Sequence, residues 1–169
     1  IKFFNKIKII LFCPLIIYLG KRSLIAYDEG YYALQAKWIL EKNNWIAPLW
    51  WDEVIADRTI GIQSLMAFSH KTFGENLFTF YIPNLVASIL MLFLTYELHK
   101  ELISRKFAII SPLILSTTFI WINYSHLATQ DILFSTVVTL GIYGAIKSIK
   151  SNSRFFLFIT GFWIGLAFM

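Results

Sequence analysis

FTFYIPNLVASILMLFLTYEL, residues 78–98, carries a single charged side chain, Glu97, in 21 positions. Crossing the hydrocarbon core of a bilayer takes about 20 helical residues, so this stretch is long and apolar enough to span a membrane, and it decides the fold class. Runs of the same character lie on either side of it: Ile7–Leu19 before, and Phe107–Ile122, Ile132–Ile146 and Phe155–Met169 after. Composition agrees, with 57% apolar and 18% aromatic residues and a mean hydropathy of +0.64, well above a soluble domain of this length. The expected fold is all-α, a multi-pass transmembrane helical bundle. Its spans fall near 7–20, 78–98, 107–123, 130–149 and 155–169, with one long outer loop over 20–77. The first run is short and follows Lys2, Lys6 and Lys8, which reads as an uncleaved signal anchor.

Lys and Arg number 15 against 10 Asp and Glu. In a membrane protein that surplus reports cytoplasmic loops, and no basic run interleaved with aromatics points to nucleic acid. If the first four spans all cross, the clusters Lys2-Lys6-Lys8, Lys100-Arg105-Lys106 and Lys147-Lys150-Arg154 fall on one side. That side holds nine cations and two acids, Glu97 and Glu101, and leaves six cations and eight acids for the other. The N-terminus is therefore expected in the cytoplasm and the long loop outside, with Lys21 and Arg22 breaking the rule locally. Cys13 is the only cysteine, so no intramolecular disulfide exists, and its apolar surroundings suggest a small buried hydrophobe.

A loop of nearly sixty residues asks for a function. Tyr32, Ala33, Ala36, Ile39 and Leu40 form one helical stripe, and Ile62, Leu65, Met66, Ser69 and Phe73 a second. Both read as amphipathic helices lying along the membrane surface. Asn43-Asn44 should end the first, and Pro48 makes the Trp-rich segment Trp45–Trp51 irregular, with its indoles suited to the interfacial belt.

The acids converge on the outer face: Asp28 and Glu29 after the first span, Asp52, Glu53 and Asp57 in the long loop, and Asp131 at the head of the fourth span. Asp131 is the only charged residue between Ile120 and Ile146. An N-cap explains it structurally, as capping and the helix dipole explain Asp28 and Glu29. The functional alternative makes one carboxylate a general base for an incoming hydroxyl or amine, with Arg58 holding a phosphate by its planar fork or merely pairing with Asp57. His126, five residues before Asp131, offers a divalent-metal alternative with the loop acids, although a third ligand cannot be named. HExxH, GxSxG, Walker and GxGxxG motifs are absent, which excludes the common peptidase, hydrolase and nucleotide readings.

Taken in order, these elements resemble the GT-C class of membrane glycosyltransferases, in the branch of protein O-mannosyltransferases and bacterial aminoarabinose transferases (glycosyltransferase family 39). Tyr27-Asp28-Glu29-Gly30-Tyr31-Tyr32-Ala33 and Trp45-Ile46-Ala47-Pro48 are similar to the family's first outer loop. Asp57-Arg58-Thr59 stands where the family has an acid-Lys-Pro element, Phe73-Gly74-Glu75-Asn76 matches its Phe-Gly-x-Asn, and Thr129-Gln130-Asp131-Ile132-Leu133 its later acid. Thr59 for Pro, and Tyr81 where the family often has Arg before Ile-Pro, are departures. The resemblance implies inverting transfer of a sugar from a polyprenyl-phosphate donor to a lipid, glycan or protein acceptor at the outer face of the plasma (inner) membrane, within the cell envelope. Asp28 would be the base and Glu29 its support. Asp57, Arg58, Asp131 and Tyr32 would line the substrate or metal region. No cofactor beyond a divalent metal is implied. Family members continue through further spans, so residues 1–169 are expected to be the N-terminal part of the transmembrane domain. Two other readings stand beside this one, a transporter or flippase component and a non-catalytic assembly subunit.

Overall fold

The computed structural model describes residues 11–51, 53–55 and 59–168. Residues 11–16 are helical (α1) and are followed by α2 (Asp28–Lys42), a two-stranded hairpin of β1 (Leu49–Trp50) and β2 (Glu53–Val54), and α3 (Gly61–Phe73). A 3-10 turn, Leu77–Phe80, leads into α4 (Ile82–Leu102), then α5 (Ile110–Thr117), α6 (Phe119–Ser125), α7 (Gln130–Ser151) and α8 (Arg154–Leu166). Among the described residues, α4 and α7 are the two helices long and apolar enough to cross a membrane. At 1.5 Å per residue each is a little over 30 Å long, which matches a hydrocarbon core of about 30 Å.

α4 accepts Pro83 in its first turn, where no intrahelical donor is required, and closes with His99 and Lys100 against its negative end. α7 stops at Asn152, which takes the left-handed conformation (φ 47°). Between them the expected span 107–123 is not one helix. The chain is extended at Thr118 (φ −74°, ψ 125°), which divides it into pieces of 8 and 7 residues. The hydroxyls of Thr117 and Thr118 donate to the carbonyls of Leu113 and Ile114 at that point. They satisfy backbone groups that an apolar environment would leave bare.

The two apolar stripes of the long loop face each other as well as the surface. Tyr32, Ala33, Ala36 and Ile39 of α2 share one buried cluster with Ile62, Met66 and Ala67 of α3 and with Phe80 and Tyr81. Leu65 and Phe73, expected on the same stripe as Ile62, point outward with Phe68. Inside the α2–α3 contact the Gln63 amide donates to Gln35 at 2.8 Å, and Gln35 reaches the Leu49 carbonyl at 3.4 Å. The Trp-rich segment is more ordered than its Pro48 suggested, since Leu49 pairs with Val54 and Trp50 with Glu53. Cys13 is exposed rather than buried, because Leu11 and Leu15, one turn apart, form the inward face of α1.

At one end of the bundle the C-termini of α4 and α7 are joined: Lys147 and Lys150 both donate to the Glu101 carboxylate, and Lys100 pairs with Glu97 at 2.6 Å. Two of the cation clusters expected on one side therefore do lie together. At the opposite end Asn84, fully buried at the start of α4, donates to the carbonyls of Leu127 and Thr129 (2.7 Å to the latter) and ties down the turn before α7.

Glycines set the α7–α8 contact. A Cβ on Gly144 would lie 3.3 Å from the Thr160 nitrogen and 3.4 Å from the Phe156 carbonyl oxygen, backbone atoms that cannot swing aside. Gly161 has nothing within 4 Å of such an atom. Gly144→Val is expected to lower the unfolding temperature in detergent and to weaken disulfide trapping between α7 and α8, whereas Gly161→Val leaves both nearly unchanged.

The buried His70 supplies a pH signature. The Thr79 hydroxyl donates to the Asn76 carbonyl at 2.7 Å, so it accepts from His70 Nδ1–H at 2.7 Å and sets the Nδ1–H tautomer of the neutral ring. Burial, opposed weakly by Glu75 and assisted by Lys37, holds the imidazole below its ordinary 6.5. The unfolded chain then binds the proton more readily than the folded one. Stability should accordingly fall as the pH drops from 6.5 toward the folded value. His70→Asn should flatten that slope in pH-dependent thermal unfolding.

Candidate active site

The organising group of the end of the bundle opposite the Lys147–Glu101 cluster is the Glu29 carboxylate, which is fully buried. It receives four short hydrogen bonds, two on each oxygen. Arg22 donates through both terminal nitrogens at 2.7 Å, the Ile25 backbone nitrogen at 2.7 Å and the Ala128 backbone nitrogen at 2.6 Å. The second Arg22 nitrogen also reaches the His126 carbonyl at 3.0 Å. A bidentate guanidinium plus two amides fills the acceptor capacity of a carboxylate. Glu29 and Arg22 thus join the segment after α1, the start of α2 and the turn before α7. The hydrogen bond to Glu29, with its charge, strengthens the hold of Arg22 on its proton despite partial burial.

Local backbone geometry serves this latch. The Asp28 nitrogen donates to the Ala26 carbonyl across a three-residue turn centred on Tyr27 (φ 73°, ψ −80°). That turn is rare and strained for a residue with a side chain. It aims the Ile25 amide at Glu29 and leaves Asp28 exposed as the first residue of α2. Asp131 sits in the first turn of α7, three residues after Ala128. It does not occupy the N-cap, which is Thr129, and accepts from the Thr129 hydroxyl at 2.8 Å. The Glu29–Ala128 bond therefore brings the two helix starts carrying Asp28 and Asp131 to one end of the bundle.

The other expected site residues fare differently. Tyr32, expected to contact substrate, is 2% exposed within the α2–α3 core. Asp57, Arg58 and Asp52 lie outside the described residues. His126 directs Nδ1 at the Ile122 carbonyl (2.7 Å) and Nε2 at the Ile17 carbonyl (3.0 Å), so both ring nitrogens are engaged with backbone. No group of three or more His, Cys, Asp or Glu able to hold a metal occurs among the described residues.

Sequence reasoning treated Arg22 only as an exception to the charge rule. That exception was the signal, since a cation retained beside a buried acid is stabilised by pairing. Tyr81, the departure from the resembling family, is fully buried beneath Arg22, whose guanidinium lies 5.8 Å from the ring centroid. Beside the latch, Tyr18, Leu19, Gly20, Lys21, Arg22 and His126 line an open pocket of about 210 Å³. Its wall is mostly apolar, and Lys21 is the lining cation not paired with Glu29.

Glu29→Gln is expected to destabilise the protein by on the order of 2 kcal/mol in chemical unfolding. That is below the cost of breaking a fully buried pair because the Arg22 side chain is 38% exposed. Arg22→Lys, which keeps the charge but loses the fork, should also destabilise it.

The backbone superposes on the crystal structure of ArnT from Cupriavidus metallidurans bound to undecaprenyl phosphate with a TM-score of 0.89, over 98% of this chain and 32% of that one, at 13% identity. The fold is therefore that of a multi-pass membrane protein. In sequence the chain is 26% identical over 166 residues to an uncharacterized protein of Aquifex aeolicus (strain VF5), covering 96% of this chain and 32% of that protein. It is 28% identical over 155 residues to the undecaprenyl phosphate-alpha-4-amino-4-deoxy-L-arabinose arabinosyl transferase of Pseudomonas savastanoi pv. phaseolicola (strain 1448A / Race 6), covering 89% and 29% respectively. The chain spans about a third of the length of these relatives. Residues 57–169 match the family model described as dolichyl-phosphate-mannose-protein mannosyltransferase, and on that match, joined to the shared fold, the chain belongs to this family.

Proposed function

We propose that the protein of which this chain forms a part transfers a sugar from a polyprenyl-phosphate donor to an acceptor at the outer face of the plasma membrane, with inversion at the anomeric carbon. The observation that carries the reading is the Glu29 latch, which gathers the starts of α2 and α7, and with them Asp28 and Asp131, at the end of the bundle opposite the Lys147–Glu101 cluster. Lipid-linked donors need such an arrangement, a polar site at the rim of a membrane-embedded bundle. The relatives support the donor class, one through a name that specifies an undecaprenyl-phosphate-linked arabinose and the other through the undecaprenyl phosphate in its crystal structure.

In this mechanism Asp28 accepts the proton of the acceptor hydroxyl or amine as that atom attacks the anomeric carbon from the face opposite the phosphate. The bond from the anomeric carbon to the phosphate oxygen breaks, and the lipid phosphate leaves with the bonding pair. Cations neutralise the departing charge. Arg58 is one, and Lys21 at the open pocket is a second. Glu29, with four donors on its carboxylate, acts here by holding Asp28 in place. Asp131 contributes to the acidic side of the cavity.

Asp28→Asn in the full-length protein, assayed in membranes with radiolabelled polyprenyl-phosphate sugars, is expected to reduce transfer by about 100-fold or more, the scale of a lost general base. Its unfolding temperature should stay close to that of the parent. Transfer at near-parental rate would remove Asp28 from the role.

A further inference from the structure

An aromatic track runs away from Asp28 along α2, and neither the chemistry above nor the latch uses it. Asp28, Tyr31, Gln35 and Trp38 stand at helical spacings of three, seven and ten residues and so share one face of α2. The hairpin lies across that face, anchored where Gln35 donates to the Leu49 carbonyl at 3.4 Å. Trp50 then stacks on Tyr31 (centroids 4.7 Å apart, 24° between planes) and meets Trp38 edge to face at 5.6 Å and 81°. Trp51 extends the row 6.0 Å beyond Trp38. From Asp28 to Trp38 the helix advances about 15 Å, more than one pyranose ring covers.

Trp51 is the telling residue. Trp50 pairs with Glu53, so Trp51 opens a two-residue hairpin connection and takes φ 50°, a conformation that Gly or Asn adopts at far lower cost. Its ring is nevertheless 75% exposed. A hairpin whose sole task was to close would not spend a strained turn position on an indole facing solvent.

We propose that Trp51, backed by the packed cluster of Tyr31, Trp50 and Trp38, forms a platform for a pyranose unit of the acceptor glycan while the reacting group lies at Asp28. The proposal rests on the glycosyltransferase reading. A pyranose offers an apolar C–H face to an aromatic ring and an edge of hydroxyls to carboxylates. The track supplies both, with rings in a row, Asp28 at one end and the exposed Glu53 across the strand from Trp50. Exposed Ile46 and Val54 also flank the hairpin, so seating in a bilayer is the competing occupant that the test below separates from a glycan.

The test uses the full-length protein in phosphatidylethanolamine–phosphatidylglycerol nanodiscs, titrated with soluble mannotriose and chitotriose and followed by tryptophan emission. Binding of a trisaccharide is expected, weakened about 5-fold or more in Trp51→Ala by loss of one aromatic contact. Trp51→Phe should restore most of it, and both variants should keep the parental unfolding temperature. In turnover assays Trp51→Ala should raise the KM for a glycan acceptor and leave the donor KM unchanged, whereas a donor-sugar subsite would shift the donor KM instead. Two results overturn the platform: trisaccharide affinity unaffected by Trp51→Ala, or Trp51 emission quenched by brominated lipid and insensitive to saccharide, which makes the hairpin a membrane anchor. Failure of the transferase reading is seen separately, as trisaccharide binding that persists in a protein transferring no sugar under any donor.

Discussion

A single carboxylate with no access to solvent holds one end of this bundle together. The Glu29 carboxylate accepts four hydrogen bonds from two stretches of chain, residues 22–25 and Ala128, the latter 99 residues away in sequence. Burying such a charge without its partners would be prohibitive, so the segment after α1, the first turn of α2 and the turn before α7 must arrive together or not at all. Asn84 reinforces the same turn from α4. The consequence is geometric. Helix starts that the chain separates by about a hundred residues become neighbours, and the exposed acids beside them inherit a common location.

The rest of the structure arranges itself around that constraint in two layers. Below it, α4 and α7 run the thickness of a bilayer and are joined at their far ends by Lys147, Lys150 and Glu101. Above it, α2 and α3 bury their apolar faces against each other and against Phe80 and Tyr81. The long loop is thus a lid of packed helices with its own core, able to present a rigid face. Strain is concentrated where that face is exposed, at Tyr27 beside Asp28 and at Trp51 in the hairpin. Elsewhere the described positive-φ positions are two glycines, two asparagines that end helices, and Tyr18 at the rim of the open pocket.

Some features were readable because they are local. The lengths of α4 and α7, the end of α2 at Asn43 and the split of the cations toward one end follow from composition, spacing and capping chemistry. The family was legible from short motifs in fixed order. Other features were not. The break at Thr118 sits inside an uninterrupted apolar run, where hydropathy is blind to hydroxyls that replace backbone bonds. Tyr32 read as a surface aromatic in a loop and is buried, because its stripe meets α3 rather than the membrane. His126, weighed as one ligand of a possible metal site, has a backbone carbonyl beside each ring nitrogen, one of them from a residue 109 positions earlier.

Sequence by itself determined the class of this protein and its two membrane-length helices among the described residues, since each depends on neighbours within a few turns of chain. Tertiary structure alone decided that Glu29 is a latch while Asp28 stays exposed, that Arg22 is its partner, and that four aromatic rings form a row. These are contacts between distant segments. A carboxylate's role depends on which donors reach it in space, and adjacent letters of the sequence carry no record of that.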